Sequence, residues 1–199
     1  MISGRRVTRR GALSALTVVV ALAATVVVYG VTPHGDDINV PFNVRGGIGD
    51  VLTGRTLTGA VTSVRLASSI DATAADSDWS GETTGTWVVV DAEIAARFEP
   101  SSLYRPTLTI GDTTYYASER LSLVTLDDGT VRPGIASVGV ILFEVSDDKL
   151  RSAEAAKAEI GINASFESIL DSRLVTQVDL TSLPVESDVA VSRPEEKVL

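Results

Sequence analysis

The sequence predicts an all-β antiparallel sandwich of about seven to nine strands, preceded by one transmembrane helix. Three observations carry this prediction. One long uncharged apolar run stands near the N-terminus, the apolar residues beyond it are spaced by two, and turn residues recur about every 8–15 positions.

The chain has 199 residues, enough for one domain plus appendages. Its hydrophobic share is 44% and its mean hydropathy +0.22, and a single segment carries the excess. Gly11 to Val31 reads GALSALTVVVALAATVVVYGV, without a charge, Asn, Gln or Pro. As a helix it would reach roughly 31 Å, the thickness of a bilayer's hydrocarbon core. Its valines are mediocre helix formers in water, but in lipid only a helix satisfies every backbone group of a lone span. Arg5, Arg6, Arg9 and Arg10 precede the run, and the first acids after it are Asp36 and Asp37. Positive charge stays on the cytoplasmic side, so residues 1–10 are expected inside, 11–31 as a signal-anchor, and all that follows outside the cytoplasm.

Two other readings compete. Ala21-Leu22-Ala23 offers a signal-peptidase site, and Thr8 to Leu13 resembles a twin-arginine export signal without its aromatic residue. The apolar run continues through Ala24 to Val28, past the length of a cleavable segment, which favours the uncleaved anchor. With four of the 17 basic residues before the run and all 26 acidic ones after it, the outer segment carries a formal charge of −13. That balance disfavours nucleic acid and anionic lipid as partners. There is no cysteine, hence no disulfide, thiol nucleophile, thiolate metal site or lipid-attachment site. Three lysines against fourteen arginines, with abundant Ala, Val, Thr and Asp, suit a high-GC Gram-positive bacterium.

Residues 32–48 read as a linker holding the only histidine, His34, and the Gly46-Gly47-Ile48-Gly49-Asp50 punctuation. The sandwich is expected over 49–183. Val51 to Ile70 reads as one or two strands with a break near Gly59. Asp71 to Gly85 is polar and turn-rich and reads as a long loop. In Thr86 to Ala95, Val88, Val90, Ala92 and Ile94 should face the core, and Asp91 and Glu93 water. Pro106 to Ile110 and Thr113 to Ala117 flank Gly111-Asp112 as a hairpin. Leu121 to Leu126 reads as a short strand and Ser137 to Val145 as a central one. A short helix follows Ser146, then a strand alternating Ala156, Ala158, Ile160 and Ile162. Arg173 to Leu180 closes the domain, with Leu174, Thr176, Val178 and Leu180 on one face. Residues 184–199 read as an acidic, poorly patterned tail.

Four stretches in order resemble a known family: Gly59 to Val64, Gly85 to Ile94, Leu108 to Tyr116, and Arg132-Pro133-Gly134 with Leu142 to Val145. They resemble the telokin-like, immunoglobulin-like extracellular domains of secreted and anchored proteins in Gram-positive bacteria, mostly of unknown function. The likeness covers roughly Gly49 to Leu183. The chain departs from the family at Ala95-Ala96-Arg97, where an Asn is usual, and in having a span instead of a lipid-attachment cysteine. The resemblance implies an immunoglobulin-like sandwich serving as an extracytoplasmic accessory or binding module, and it supplies no catalytic residues.

Little in the chain suggests chemistry. His34 beside Asp36 and Asp37 is a thin basis for a metal site, because a linker cannot hold ligands in fixed geometry. The acid pairs Asp76/Asp78, Asp127/Asp128 and Asp147/Asp148 lack the frame of a calcium loop and suit turns and helix starts. Tyr104, Tyr115 and Tyr116 read as cross-strand packing. Trp79, between Asp78 and Ser80, is the aromatic of the expected loop; Trp79, Asp76 and Asp78 are the candidate partner contacts. The expectation is therefore a membrane-anchored, extracytoplasmic binding or accessory module of the cell envelope, without catalysis or cofactor. Its partners would be the membrane, through the span, and another envelope protein or a cell-wall glycan. A carboxylate-based cell-wall hydrolase and an accessory subunit of a membrane transporter are the alternatives.

Overall fold

A pleated strand sends successive side chains to opposite faces, so an apolar residue at every second position fixes which face is buried. The stretch Thr86 to Ile94 obeys that rule, and the domain is built around it. The computed structural model describes residues 9–31, 41–74, 77–164 and 171–199. It divides into two units, Met1–Val40 and Pro41–Leu199.

In the first unit, α1 (Arg9–Val31) is the described element. Leu16, Val18, Val19, Val20, Leu22, Val26, Val27 and Val28 are all exposed, so its apolar residues do not gather on one face. Side chains are described for residues 16–28 of this helix alone. Among the described residues, no helix is long and apolar enough to cross a membrane.

In the second unit the strands are β1 (Phe42–Gly46), β2 (Leu52–Thr53), β3 (Leu57–Ala74), β4 (Ser77–Ala96), β5 (Ser101–Ser102), β6 (Thr107–Ile110) and β7 (Thr113–Tyr116). They continue with β8 (Thr130–Val131), β9 (Ile135–Val145), β10 (Ala158–Ile162), β11 (Ser172–Val178), β12 (Val185–Ser192) and β13 (Glu195–Val198). One sheet has the order β1-β11-β10-β6-β7; the other has the order β12-β3-β4-β9-β13, with β2 added against β3. A two-stranded ribbon joins β5 to β8. The two sheets face each other across one apolar core. Val88, Val90, Ile94, Ile141 and Phe143 of the second sheet meet Leu108, Ile110, Ile160, Leu174 and Val178 of the first. The domain is an all-β sandwich.

The expected core face of residues 88–94 is the one that is buried. Its opposite face differs from expectation. Trp87 and Val89 are fully buried in a second apolar cluster with Ile70, Leu121, Val124, Leu142, Val189 and Val191. Asp91 and Glu93 are partly exposed and paired, Asp91 with Arg65 at 3.0 Å and Glu93 with Lys197 at 2.9 Å. The second sheet is therefore covered on both faces along part of its length.

Several elements depart from the sequence reading. The expected loop 71–85 is mostly strand: β3 and β4 form a long hairpin in which Ser69 to Ala74 pairs with Glu82 to Ser77. Backbone pairing across the hairpin, and of residues 71–73 with β12 as well, overrides the turn-like composition there. No break occurs at Gly59; the register shifts instead between Val61 and Ser63 and between Ala67 and Ser69. Residues 121–126 are not a strand but lie in 3₁₀ turns, Glu119–Val124 and Leu126–Asp128. The backbone kinks at Leu121 (φ −129°, ψ 33°), and Leu121 and Val124 both enter the second cluster. The short helix is α2 (Asp147–Leu150), followed by a 3₁₀ turn, Ala153–Lys157. The sandwich is not wholly antiparallel, because β1 runs parallel to β11 and β12 parallel to β3. Its compact unit starts at Pro41, within the expected linker, and the expected tail forms β12 and β13.

Candidate functional site

The outer face of the five-stranded sheet is set by register. Arg45 pairs with Val175, Val175 with Gly161, Gly161 with Thr107, and Thr107 with Tyr116. Paired residues lie on one face, so these five form a row across all five strands. Four strand spacings of about 4.8 Å make that row roughly 19 Å long. Gly161 leaves a gap in it, and the Arg173 side chain lies across that glycine; a Cβ there would collide with the guanidinium. From this position Arg173 donates to Thr107 Oγ1. Its Nε is buried with no partner among the described residues. Burial holds the Arg173 pKa below the ordinary arginine value, Glu159 opposes that shift, and Arg45 reinforces it. Arg45 itself makes an exposed ion pair with Glu159.

At the β7 end of the row stands Arg105, its guanidinium 4.3 Å from the centre of the Tyr116 ring. Tyr115 and Tyr116 are neighbours on a strand, so they face opposite ways. Tyr115 packs on the core, and its hydroxyl lies 3.2 Å from Ser146 Oγ, while Tyr116 is 53% exposed. Arg105 has φ = 39°, the one described non-glycine residue in the left-handed region. It also precedes Pro106, which restricts its backbone further. Neighbours hold it there: Leu103 and Pro106 are buried, Tyr104 N–H donates to the Asn163 carbonyl at 2.8 Å, and Ala117 N–H donates to the Pro106 carbonyl at 3.0 Å. Backbone strain of this kind collects where a side chain must be aimed.

Beside Arg105 opens a cleft of about 690 Å³ lined by Leu103, Tyr104, Arg105, Tyr116, Glu119 and Asp127. Asp127 Oδ1 is buried there without a partner among the described residues. The cleft thus offers aromatic surface, one guanidinium and two carboxylates, a set suited to holding a polar ligand. Among the described residues, no three His, Cys, Asp or Glu side chains are placed to share a metal ion.

The residues singled out from the sequence lie elsewhere. Trp79 is on β4, opposite Ala72, partly buried against the second cluster, with the Arg120 guanidinium 5.3 Å from its ring centre. Its ring crosses Gly81, where a Cβ would clash with it. Asp78 is in the same strand, opposite Thr73. Asp76 and His34 lie outside the described residues. Asp147 and Asp148 serve α2: Asp147 accepts from Thr86 Oγ1 at 2.9 Å, and Asp148 pairs with Arg151 at 3.0 Å. The arginine row escaped the sequence reading because residues 45, 105 and 173 meet only through sheet order. The one local signal was Tyr115-Tyr116, since two adjacent strand tyrosines cannot both pack inward.

No model of a known protein family matches the chain, and no curated protein matches it. In fold it is similar to an uncharacterized beta-sandwich protein from Clostridium difficile 630, at 9% sequence identity and a TM-score of 0.44, over 73% of this chain and 99% of that one.

Proposed function

We propose that this chain is a membrane-anchored, extracytoplasmic binding module of a Gram-positive cell envelope, and that it captures a ligand or partner without chemical turnover. The observation that carries the reading is the cleft at Tyr104–Arg105, where a strained, positive-φ arginine is aimed by a rigid scaffold between exposed aromatic and acidic side chains. The order of the sequence motifs agrees with a telokin-like, immunoglobulin-like domain, although its two parallel edge pairs depart from a purely antiparallel pattern.

The anchor rests on Gly11 to Val31 as a sequence, with four arginines before it and no charge within it. Leucine and valine exposed on every side of a helix are costly in water and suit lipid. Protease applied to intact protoplasts is expected to digest residues 41–199 and spare a small N-terminal fragment. Recovery of a chain beginning near Ala24 in the medium overturns the anchor.

The binding reading is tested by pull-down from envelope extract with the full chain in neutral detergent. Tyr104→Ala combined with Tyr116→Ala should weaken capture by about tenfold or more, as loss of aromatic hot spots does, while the thermal transition stays nearly unmoved. Undiminished capture removes the cleft as the site, and turnover of a cell-wall substrate by the purified chain removes the binding reading itself.

A further inference from the structure

We infer that the outer face of the five-stranded sheet is a track for a linear anionic polymer, whose successive phosphate or carboxylate groups pair with Arg45, Arg173 and Arg105. The inference rests on the binding-module reading and names the class of ligand.

The first support is charge. The segment beyond the apolar run is strongly acidic, yet across the strands this row sets Arg45 and Arg173 against one carboxylate, Glu159, and Arg105 adds a third guanidinium at the end where Glu119 and Asp127 line the cleft. Guanidinium presents a planar fork of donors that matches carboxylate and phosphate oxygens. The second support is incomplete satisfaction. Arg173 is partly desolvated and donates to Thr107, but its Nε has no partner among the described residues. That Nε is itself shut away from a ligand, but the partly desolvated guanidinium gains more from an oxyanion beside it than a fully solvated one does. The raised cost of charge on Arg173, from burial and from Arg45, points the same way.

The third support is shape. The row is one side chain wide and roughly 19 Å long at the strand spacing of a sheet. It is floored by Val175, Gly161 and Thr107 and ends at Tyr116, whose exposed ring carries Arg105. A thin chain can lie along it, meeting Glu159 and the two cleft carboxylates beside Arg105 but staying clear of the acids farther out on the domain. A flat anionic bilayer or a duplex would bring its charge over those acids as well. The exposed Arg45–Glu159 pair is the sort that a ligand displaces easily, since such pairs are weak in water.

The experiment uses the full chain in neutral detergent micelles, titrated at low salt with sodium polyphosphate and, separately, with polyglutamate. Vesicles rich in anionic phospholipid form a third arm. Polymer binding is expected in at least one of the first two arms, and it should weaken steeply with added salt. Each of Arg45→Gln and Arg105→Gln, both at exposed positions, should lower affinity and flatten the salt dependence by roughly one charge. Arg173→Gln should do the same, and because it is partly buried its thermal transition is recorded beside it. Arg132→Gln, which breaks an exposed pair with Glu196 away from the row, should leave binding unchanged. Absence of polymer binding, equal loss in Arg132→Gln, or binding to vesicles alone overturns the inference. Capture of an envelope partner that survives the three changes in the row also overturns it and leaves the binding-module reading standing.

Discussion

Val90 and Glu93 sit three residues apart on one strand and report its two faces. Val90 is fully buried between the sheets, whereas Glu93 is partly exposed and bridged to Lys197 at 2.9 Å. Val90→Asp places an unpaired charge in the core and should cost several kcal/mol, read as a fall in the urea midpoint. Glu93→Lys replaces an exposed pair by a repulsion and should cost no more than about 1 kcal/mol. Equal damage from the two would mean that the strand's faces are assigned the wrong way round. Sequence alone places both side chains correctly here, because strict alternation over four apolar positions leaves one consistent register. It does not foresee Lys197, which reaches Glu93 from a segment that reads as a tail.

Among the elements, the β3–β4 hairpin shows most clearly where local reading stops. Beyond the bulge at Ala67/Ser69, β4 leaves β9, whose pairing ends at Thr86 opposite Val145. The segment Ser77 to Glu82 therefore has an edge that no strand covers. Side chains cover it instead. Trp87 Nε1 donates to the Gly81 carbonyl at 3.2 Å and Arg120 Nη1 to the Glu82 carbonyl at 3.2 Å. The Arg120 guanidinium lies between two indoles, 5.3 Å from Trp79 and 5.2 Å from Trp87, and is paired with Glu144 at 3.0 Å. Strand edges are commonly blunted by such means. Arg120→Met keeps the bulk but removes the donors and the charge; it should destabilise by about 1–3 kcal/mol and quicken hydrogen exchange at 77–82 ahead of the rest of the sandwich. Uniform exchange across the domain would show that Arg120 does not hold this edge. Residues 71–85 read as loop because Ser, Thr, Asp and Gly dominate them, and their strand identity comes from pairing across the hairpin and, for 71–73, from distant β12. β12 was hidden for a related reason: only Val189 and Val191 of its eight residues are buried, and Glu186 and Asp188 interrupt the pattern. The strongest strands, β4 and β9, were legible because the main core demands Val, Ile and Phe at alternate positions in both.

On the scale of the whole molecule, charge and topology belong together. The acidic surplus is spread over loops and strand faces, while the arginine row depends on β1, β11, β10, β6 and β7 standing side by side. That order makes the first strand of the domain the neighbour of one near its end: Phe42 lies opposite Ser172, and Val185 of β12 opposite Leu66. The consequence is kinetic. A chain emerging N-terminus first presents β1 and β3 long before their parallel partners exist, so the first sheet cannot complete its edge before β11 appears, nor the second before β12 and β13. The domain should stay open during synthesis and close in one late step. Pairings this distant in sequence are slow, so refolding from urea should be a single phase in the millisecond-to-second range characteristic of such topologies. A chain ending after Leu183, lacking β12 and β13, should remain unfolded or associate through its bared strand edges, as size-exclusion chromatography would reveal. Vectorial synthesis then acts as a timer, holding both sheets ajar until the last strands arrive.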